Sequence, residues 1–127
     1  MSGGYHRLVS ILRLDHVQLA YPPDHDDVAR RFYGDVMGLV EVAKPAPMRA
    51  RGGMWFQAGP IQIHLGVEPG MKPSAKMHPA FVVDDLDALV ARLVAAGAEW
   101  KPSNELEGVR RGHTLDPFGN RIELIAG

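Results

Sequence analysis

Four side chains that commonly bind divalent metals recur in this chain at a nearly constant spacing. His16 and His78 lie 62 residues apart, and His64 and Glu123 lie 59 residues apart. His16 and His78 each stand at the start of an apolar, strand-like run, whereas His64 and Glu123 lie in short alternating runs. A near-constant offset between such segments indicates an internal duplication. Because duplication places equivalent residues at symmetry-related points, we predict that these four side chains gather around one cation.

Imidazole and carboxylate ligands suit divalent Zn, Ni, Mn, Fe or Co and leave coordination positions open for a substrate. In residues 61–65 the histidine alternates with apolar residues, and in residues 121–125 the glutamate does the same. In a strand, this alternation puts His64 and Glu123 on the face opposite the packed core, where a cavity is expected. The same alternation also fits polar residues that only face solvent. Among the four residues, this alternative interpretation is strongest for His64.

Hydrophobic periodicity predicts the elements that must position these residues. In the first half we predict a strand over 11–20, a helix capped by Asp24 or Asp26 that ends near Met37, and strands over 39–43, 49–57 and 61–67. In the second half we predict a strand over 78–83, a helix capped by Asp84 or Asp85 that ends at Gly97, and further strands near Trp100, over 110–115 and over 120–125.

The element order is βαβββ twice, which predicts an α+β fold of two modules. Their curled, mostly antiparallel sheets should surround an open cavity. We expect residues 1–127 to form one domain, with modules at about 11–67 and 77–126 joined by a Pro- and Gly-containing linker at 68–76.

Composition excludes several classes of protein. The 127 residues are 46% hydrophobic and 23% charged, with a net charge of −1 and no cysteine. No basic block is present to attract nucleic acid or an anionic membrane, and no apolar run approaches the length of a membrane span. The absence of cysteine excludes disulfides and thiolate ligands and favours a cytoplasmic location. We therefore expect a cytoplasmic protein that binds a small molecule.

Several motifs together resemble the vicinal oxygen chelate superfamily, which includes glyoxalase I, extradiol dioxygenases, fosfomycin-resistance and bleomycin-resistance proteins. The resemblance covers nearly the whole chain and rests on the segments 14–17, 32–39, 78–86 and 116–124. It implies that His16, His78 and Glu123 occupy the family's usual metal positions. His64 matches the position of a fourth ligand or a catalytic carboxylate. The resemblance also implies a homodimer in which modules of two chains complete each cavity.

Further residues are candidates for contact with a substrate. Gln18 shares the strand face of His16, and Arg111 shares a strand face with His113. Gln18 could donate a hydrogen bond to a substrate, Arg111 could bind a substrate anion, and His113 could transfer a proton. Trp55 could line an apolar pocket. The competing interpretations are an edge-strand surface pair for Arg110 and Arg111 and a core position for Trp55.

We therefore predict a metal-dependent, glyoxalase-like enzyme of lyase, isomerase or transferase type that acts on a small oxygenated metabolite. A histidine at position 64 disfavours lactoylglutathione lyase activity, because a coordinated imidazole is a poor base. The serine-poor loop 102–108 disfavours fosfomycin resistance. Two alternatives stay open: an extradiol-type dioxygenase, and a non-enzymatic binding protein of the bleomycin-resistance type.

Overall fold

The chain folds into two modules, each built from a four-stranded sheet and a helical segment. A computed structural model describes residues 10–127. The first module contains β1 (His16–Tyr21), α1 (Asp26–Arg30), a π-helical turn (Arg31–Val36), β2 (Val40–Val42), a 3-10 helix (Ala46–Arg51), β3 (Met54–Ala58) and β4 (Ile61–Val67). The second contains β5 (Ala80–Val83), α2 (Leu86–Ala95), β6 (Lys101–Ser103), β7 (Arg111–Leu115) and β8 (Arg121–Ala126). The predicted α+β class with two βαβββ modules is confirmed.

In both sheets the first strand of the module lies beside its last strand. The strand orders are β1-β4-β3-β2 and β5-β8-β7-β6, so neither sheet closes on itself. β1 runs parallel to β4 with His16 opposite Gln62, and β5 runs parallel to β8 with Ala80 opposite Glu123. The other neighbours are antiparallel. A parallel pair needs a crossover connection, which explains why a helical segment follows the first strand of each module.

Apolar residues on alternate positions of the central strands face the helices and form one core. Ile63 and Leu65 of β4 and Ile122 and Leu124 of β8 are buried, as strand parity predicts. The helical segments complete this core with Ala29, Phe32, Tyr33, Leu86, Leu89 and Leu93. The opposite faces of β4 and β8 are therefore available to polar side chains.

Two predicted strands are shorter than expected. The strand predicted over 11–20 begins only at His16, because its partner β4 begins at Ile61 and earlier residues have no strand beside them. The strand predicted over 49–57 is replaced at its start by the 3-10 helix, which has proline at its first turn. Gly52 and Gly53 then take positive φ angles of 72° and 87° before β3 begins. Glycine adopts this left-handed backbone conformation at little cost.

The two helical segments differ in how they begin. Asp85 caps α2 as predicted, since its Oδ1 accepts a hydrogen bond from the Ala88 amide at 3.0 Å. The predicted cap at Asp24 or Asp26 is wrong. His25 occupies the N-cap position of α1 without a side-chain bond, and Asp26 instead accepts a 2.7 Å hydrogen bond from the Tyr21 hydroxyl. Within residues 10–127 no helix has the length and apolar character needed to cross a membrane.

A buried polar cluster joins the two modules. The Tyr33 hydroxyl of the first module donates to Asp116 Oδ2 at 2.6 Å, and Asn120 Nδ2 donates to the same oxygen at 2.8 Å. Asp116 Oδ1 accepts from the backbone amides of Phe118 and Asn120. Asn120 Nδ2 also donates to the Ala20 carbonyl on β1. Burial and the neighbouring carboxylate together raise the pKa of Tyr33 well above its usual value, so this hydroxyl stays protonated and keeps donating.

We predict that Asp116→Ala destabilises the fold by roughly 2–4 kcal/mol, because it leaves buried donors without an acceptor. The free energy of unfolding in urea measures this change. Asp35→Ala is the matched control, since Asp35 is exposed, and it should stay within about 0.5 kcal/mol of the parent. Equal stabilities for the two variants would show that the cluster does not hold the modules together.

Candidate metal centre

On the first sheet, His16 and His64 lie side by side on the face opposite the core. They belong to the parallel strands β1 and β4, where the same parity directs both imidazoles to one side of the sheet. Their ring centroids are 4.0 Å apart and the ring planes differ by 15°. The sequence prediction that these two residues share a site face is consistent with this geometry.

Trp55 covers the other face of the His64 ring. It lies opposite His64 on β3, with ring centroids 3.9 Å apart and planes that differ by 2°. Trp55 is half-buried, between Met54 and Phe56, which point into the core. His64 itself is only 7% exposed, and its burial, followed by electrostatic interaction with the neighbouring His16, lowers its pKa. The imidazole is therefore held neutral and in one orientation between two rings.

Hydrogen bonds leave one nitrogen of each of these histidines available. His16 Nδ1 lies 2.9 Å from Asp15 Oδ2, which leaves His16 Nε2 without a partner in the part of the chain that the structure describes. His64 Nε2 lies 2.8 Å from Gln62 Oε1; donation to this amide oxygen leaves Nδ1 as the acceptor nitrogen. Histidines that bind metals typically donate their second ring N–H to a carboxylate or carbonyl oxygen.

On the second sheet, His78 and Glu123 are in direct contact. His78 lies just before β5, which pairs with β8 beside Glu123. His78 Nε2 is 3.1 Å from Glu123 Oε1, and His78 Nδ1 is 2.7 Å from the Lys76 carbonyl oxygen. The carbonyl fixes the orientation of the ring, so that Nε2 faces the carboxylate. This is again the arrangement expected of a metal-binding histidine.

Glu123 is also the centre of a larger polar cluster. Arg111 Nη1 donates to Glu123 Oε2 at 2.9 Å, and His113 Nε2 lies 3.5 Å from Oε1. Burial raises the pKa of Glu123, but the hydrogen bonds from Arg111 and His78 outweigh it and the net shift is downward. Burial, with Arg121 as the next cause, lowers the pKa of His113. Near neutral pH the cluster therefore presents an ionised carboxylate beside a neutral His113 imidazole.

The four predicted ligands thus fall into two pairs, one on each sheet. Within residues 10–127 one group of three metal-binding side chains lies close enough to hold an ion, with all donor atoms within 4.8 Å of one another: His78, His113 and Glu123. His113 was assigned from sequence as a proton-transfer residue, and the structure places it beside the two predicted ligands His78 and Glu123. The sequence feature that could have indicated this proximity is the position of His113 opposite Glu123 in the predicted last hairpin. Arg111, which was assigned to a substrate anion, contacts Glu123 instead.

Two cavities adjoin these clusters. One, of about 400 Å³, opens beside the His16–His64 pair and is also lined by Gln18, Lys44, Arg51 and Trp55. The other, of about 600 Å³, lies between β1 and the 68–79 segment and includes both Gln18 and His78. Gln18 projects over Gly66, where a Cβ atom would lie only 2.5 Å from the Gln18 amide nitrogen. The missing side chain at Gly66 therefore makes room for Gln18 beside the histidines.

The residues present suit a divalent cation. Four of the side chains, His16, His64, His78 and Glu123, offer a nitrogen or oxygen donor while their second polar atom is already held by a protein group. No thiolate is available because the chain has no cysteine. Such a set suits Zn, Ni, Mn, Fe or Co.

Comparison with known proteins agrees with this geometry. Residues 13–124 match the model of the glyoxalase/bleomycin resistance protein/dioxygenase superfamily. The chain belongs to this superfamily. A putative glyoxalase family protein from Bacillus anthracis is 39% identical, with a TM-score of 0.88 over 94% of this chain and 98% of that one. Comparison with the curated proteins gave no match.

More distant members of the superfamily share the fold alone. A lactoylglutathione lyase from Agrobacterium tumefaciens is 22% identical, with a TM-score of 0.71 over 93% of this chain and 96% of that one. A genomically encoded fosfomycin resistance protein from Listeria monocytogenes is 18% identical, with a TM-score of 0.71 over 94% and 95% of the two chains. Because these relatives carry different activities on one fold, the reaction has to be argued from the site.

We predict that Arg111 and Glu123 are energetically coupled in the metal-free protein. Their side chains are only 13% and 12% exposed, so loss of one partner leaves a poorly solvated charge on the other. Glu123→Gln alone should cost about 1–3 kcal/mol of unfolding free energy, and in the double variant with Arg111→Met the costs should not add. Urea unfolding of the four proteins in a chelator measures the coupling. If the losses of unfolding free energy in the two single variants add up to the loss in the double variant, the two side chains do not interact.

Proposed function

We propose that this protein is a metal-dependent enzyme of the glyoxalase type that acts on a small, oxygen-rich and anionic molecule. The observation that carries the proposal is the contact of His78 and Glu123, with the second nitrogen of the histidine held by a backbone carbonyl. The His16–Asp15 contact repeats this arrangement in the other module. A histidine with one ring nitrogen held by a protein oxygen thus occurs at the duplicated position of each module. This favours a metal-dependent catalytic site over a cavity that only binds a small molecule.

The complete site, in this proposal, combines His16 and His64 of one chain with His78 and Glu123 of a second copy. Support comes from the separation of the two pairs onto different sheets, in which β1 and β5 are edge strands. Exposed apolar side chains lie along or just before these edges: Ile11, Leu12, Leu14, Met77 and Val82. A homodimer would cover these side chains and would protect the open edges.

Each residue would then have a separate task. The cation supplies a Lewis acid that polarises oxygen atoms of the substrate. Gln18 would donate a hydrogen bond to the substrate, and Trp55 would keep His64 in place and form an apolar wall. The groove beside His16 and His64 is lined by two basic residues, Lys44 and Arg51, and by one acidic residue, Asp15, so its net positive charge would attract anions. His113, whose Nε2 lies 3.5 Å from Glu123 Oε1, would accept or return a proton.

An extradiol-type dioxygenase is the second candidate, and one observation favours it. His78, His113 and Glu123 form a group of two histidines and one carboxylate, which is the ligand type of non-haem Fe(II) oxygenases. Oxygen consumption with a catechol in the presence of Fe(II) would separate this candidate from an isomerase or lyase. A binding protein of the bleomycin-resistance type would instead hold its ligand equally well after the metal is removed.

We predict that His16→Ala, His78→Ala and Glu123→Ala each weaken divalent-metal binding while the fold survives, because these side chains lie outside the apolar core. Loss of a group that merely supports a ligand costs about 10–100-fold in affinity, and loss of a ligand should cost at least as much. Calorimetry with Zn²⁺ or Ni²⁺ measures the change. His25→Ala is the control, since His25 is exposed and contacts only the Pro23 carbonyl among the hydrogen bonds of the described residues. Unchanged affinity in all three variants would refute the proposed site.

We predict that mixing the His16→Ala and His78→Ala variants restores high-affinity metal sites, built from the ligands of two chains, that neither variant has alone. In a mixed dimer with two-fold symmetry, one site loses both histidines and the other keeps all of its ligands. After free exchange of subunits, about a quarter of the wild-type sites should return, because half of the dimers are mixed and each has one intact site. In this measurement the concentration of free metal is buffered near the dissociation constant of the metal complex of the wild-type protein. A site built within one chain would give no recovery on mixing.

A further inference from the structure

We propose that His78, His113 and Glu123 form a metal site that is complete within the second module of a single chain. This inference deepens the proposed function and rests on it, because it adds His113 as a protein ligand on one side of the shared site. Metal binding then replaces proton transfer as the task of His113, since a coordinated imidazole is a poor base. The partner's first module would then join a cation that is already bound, instead of supplying half of the ligands needed to hold it.

Sheet geometry brings the three side chains together. Glu123 lies on β8, which runs between β5 and β7. Its neighbour across one side is Ala80, two residues after His78, and its partner on the other side is His113. Both imidazoles therefore approach the carboxylate from opposite sides. Their ring planes meet at 81°, with centroids 5.4 Å apart, so the two rings do not stack against each other.

The distances match the separation of ligands around a metal. Glu123 Oε1 lies 3.1 Å from His78 Nε2 and 3.5 Å from His113 Nε2. Ligands about 2.0–2.2 Å from a zinc-like ion are roughly 3–3.5 Å from one another in octahedral or tetrahedral geometry. A cation could therefore replace the hydrogen-bonding proton between His78 and Glu123. A small movement of the side chains would bring all three donor atoms, which lie within 4.8 Å of one another, around it.

The groups around two of the three ligands also prepare them for a metal. The Lys76 carbonyl holds Nδ1 of His78, and Arg111 holds Oε2 of Glu123. Because Arg111 occupies one carboxylate oxygen, only Oε1 faces the two imidazoles, and Glu123 would bind through a single oxygen. Three protein donors then leave at least one coordination position for the partner chain or for substrate oxygens.

Comparison of the two modules shows why only the second one can hold a cation alone. Trp55 lies opposite His64 in the first sheet, and His113 lies opposite Glu123 at the equivalent position of the second sheet. The first module thus has an aromatic ring where the second has a third donor. This difference, which breaks the internal symmetry, predicts that the two halves of the site bind metal unequally.

The test uses a variant that disables the first module's contribution. We expect the full-length chain with His16→Gln and His64→Gln to bind one Co²⁺ per chain in calorimetry, more weakly than the wild type. Addition of His113→Gln to this background should lower the affinity at least another tenfold, in line with the cost of disturbing a metal's ligands. Addition of His25→Gln to the same background is the matched control and should change nothing.

A second variant gives a direct signature of coordination. The chain has no cysteine, so His113→Cys introduces its first thiolate. Direct binding should then produce sulfur-to-cobalt charge-transfer absorption, which a nearby but uncoordinated thiol does not give. This readout does not depend on catalytic activity or on small losses of stability.

The outcomes separate this inference from the proposed function. If wild-type protein binds Co²⁺ but the His16→Gln, His64→Gln variant binds none, the second module is not sufficient and the inference is wrong, while the shared site stands. If His113→Gln has no effect in that background and His113→Cys shows no charge-transfer band, His113 is not a ligand and the inference is also wrong. If wild-type protein binds no divalent metal, the proposed function fails together with it.

Discussion

The parallel pairing of the first and last strand of each module is the constraint on which the site depends. In a strand, side chains at alternate positions share a face, and in a parallel pair the faces of the two strands coincide. Pairing of β1 with β4 therefore brings His16 beside His64, and pairing of β5 with β8 brings His78 to Glu123. The helical crossover that makes this pairing possible covers the other face of each sheet and keeps the apolar core away from the polar clusters.

Burial of these polar side chains is tolerated because most of their buried donors and acceptors have partners; among the described residues Arg111 Nε is the buried side-chain atom that has none. Glu123 depends most on its partners, because desolvation alone would raise the pKa of its carboxyl. Arg111 and His78 reverse that effect and keep the carboxylate ionised. The same contacts direct one oxygen toward Arg111 and the other toward the histidines. Charge neutralisation and orientation of a ligand are thus achieved by the same side chains.

Duplication explains the common plan of the two modules, and its exceptions explain their different roles. The first module stacks Trp55 on His64 in a groove with Lys44 and Arg51, which suits recognition of an anionic molecule. The second module gathers His113 and Arg111 around Glu123, which suits binding of a cation. The buried Tyr33–Asp116–Asn120 cluster fixes the two modules to each other, so the specialised halves keep a constant relation within the chain.

Local patterns in the sequence were enough to predict the repeated βαβββ order, the cap at Asp85 and the strand faces of His64 and Glu123. These properties depend on backbone periodicity and on contacts within a few residues. The predicted last hairpin could have indicated that His113 lies opposite Glu123, but the sequence alone did not indicate that Arg111 turns to the same carboxylate or that Trp55 lies on His64. Such contacts depend on which strands become neighbours and in what register, and hydrogen bonds between distant segments decide both. The late start of β1 has the same origin, because β1 becomes a strand only where β4 lies beside it.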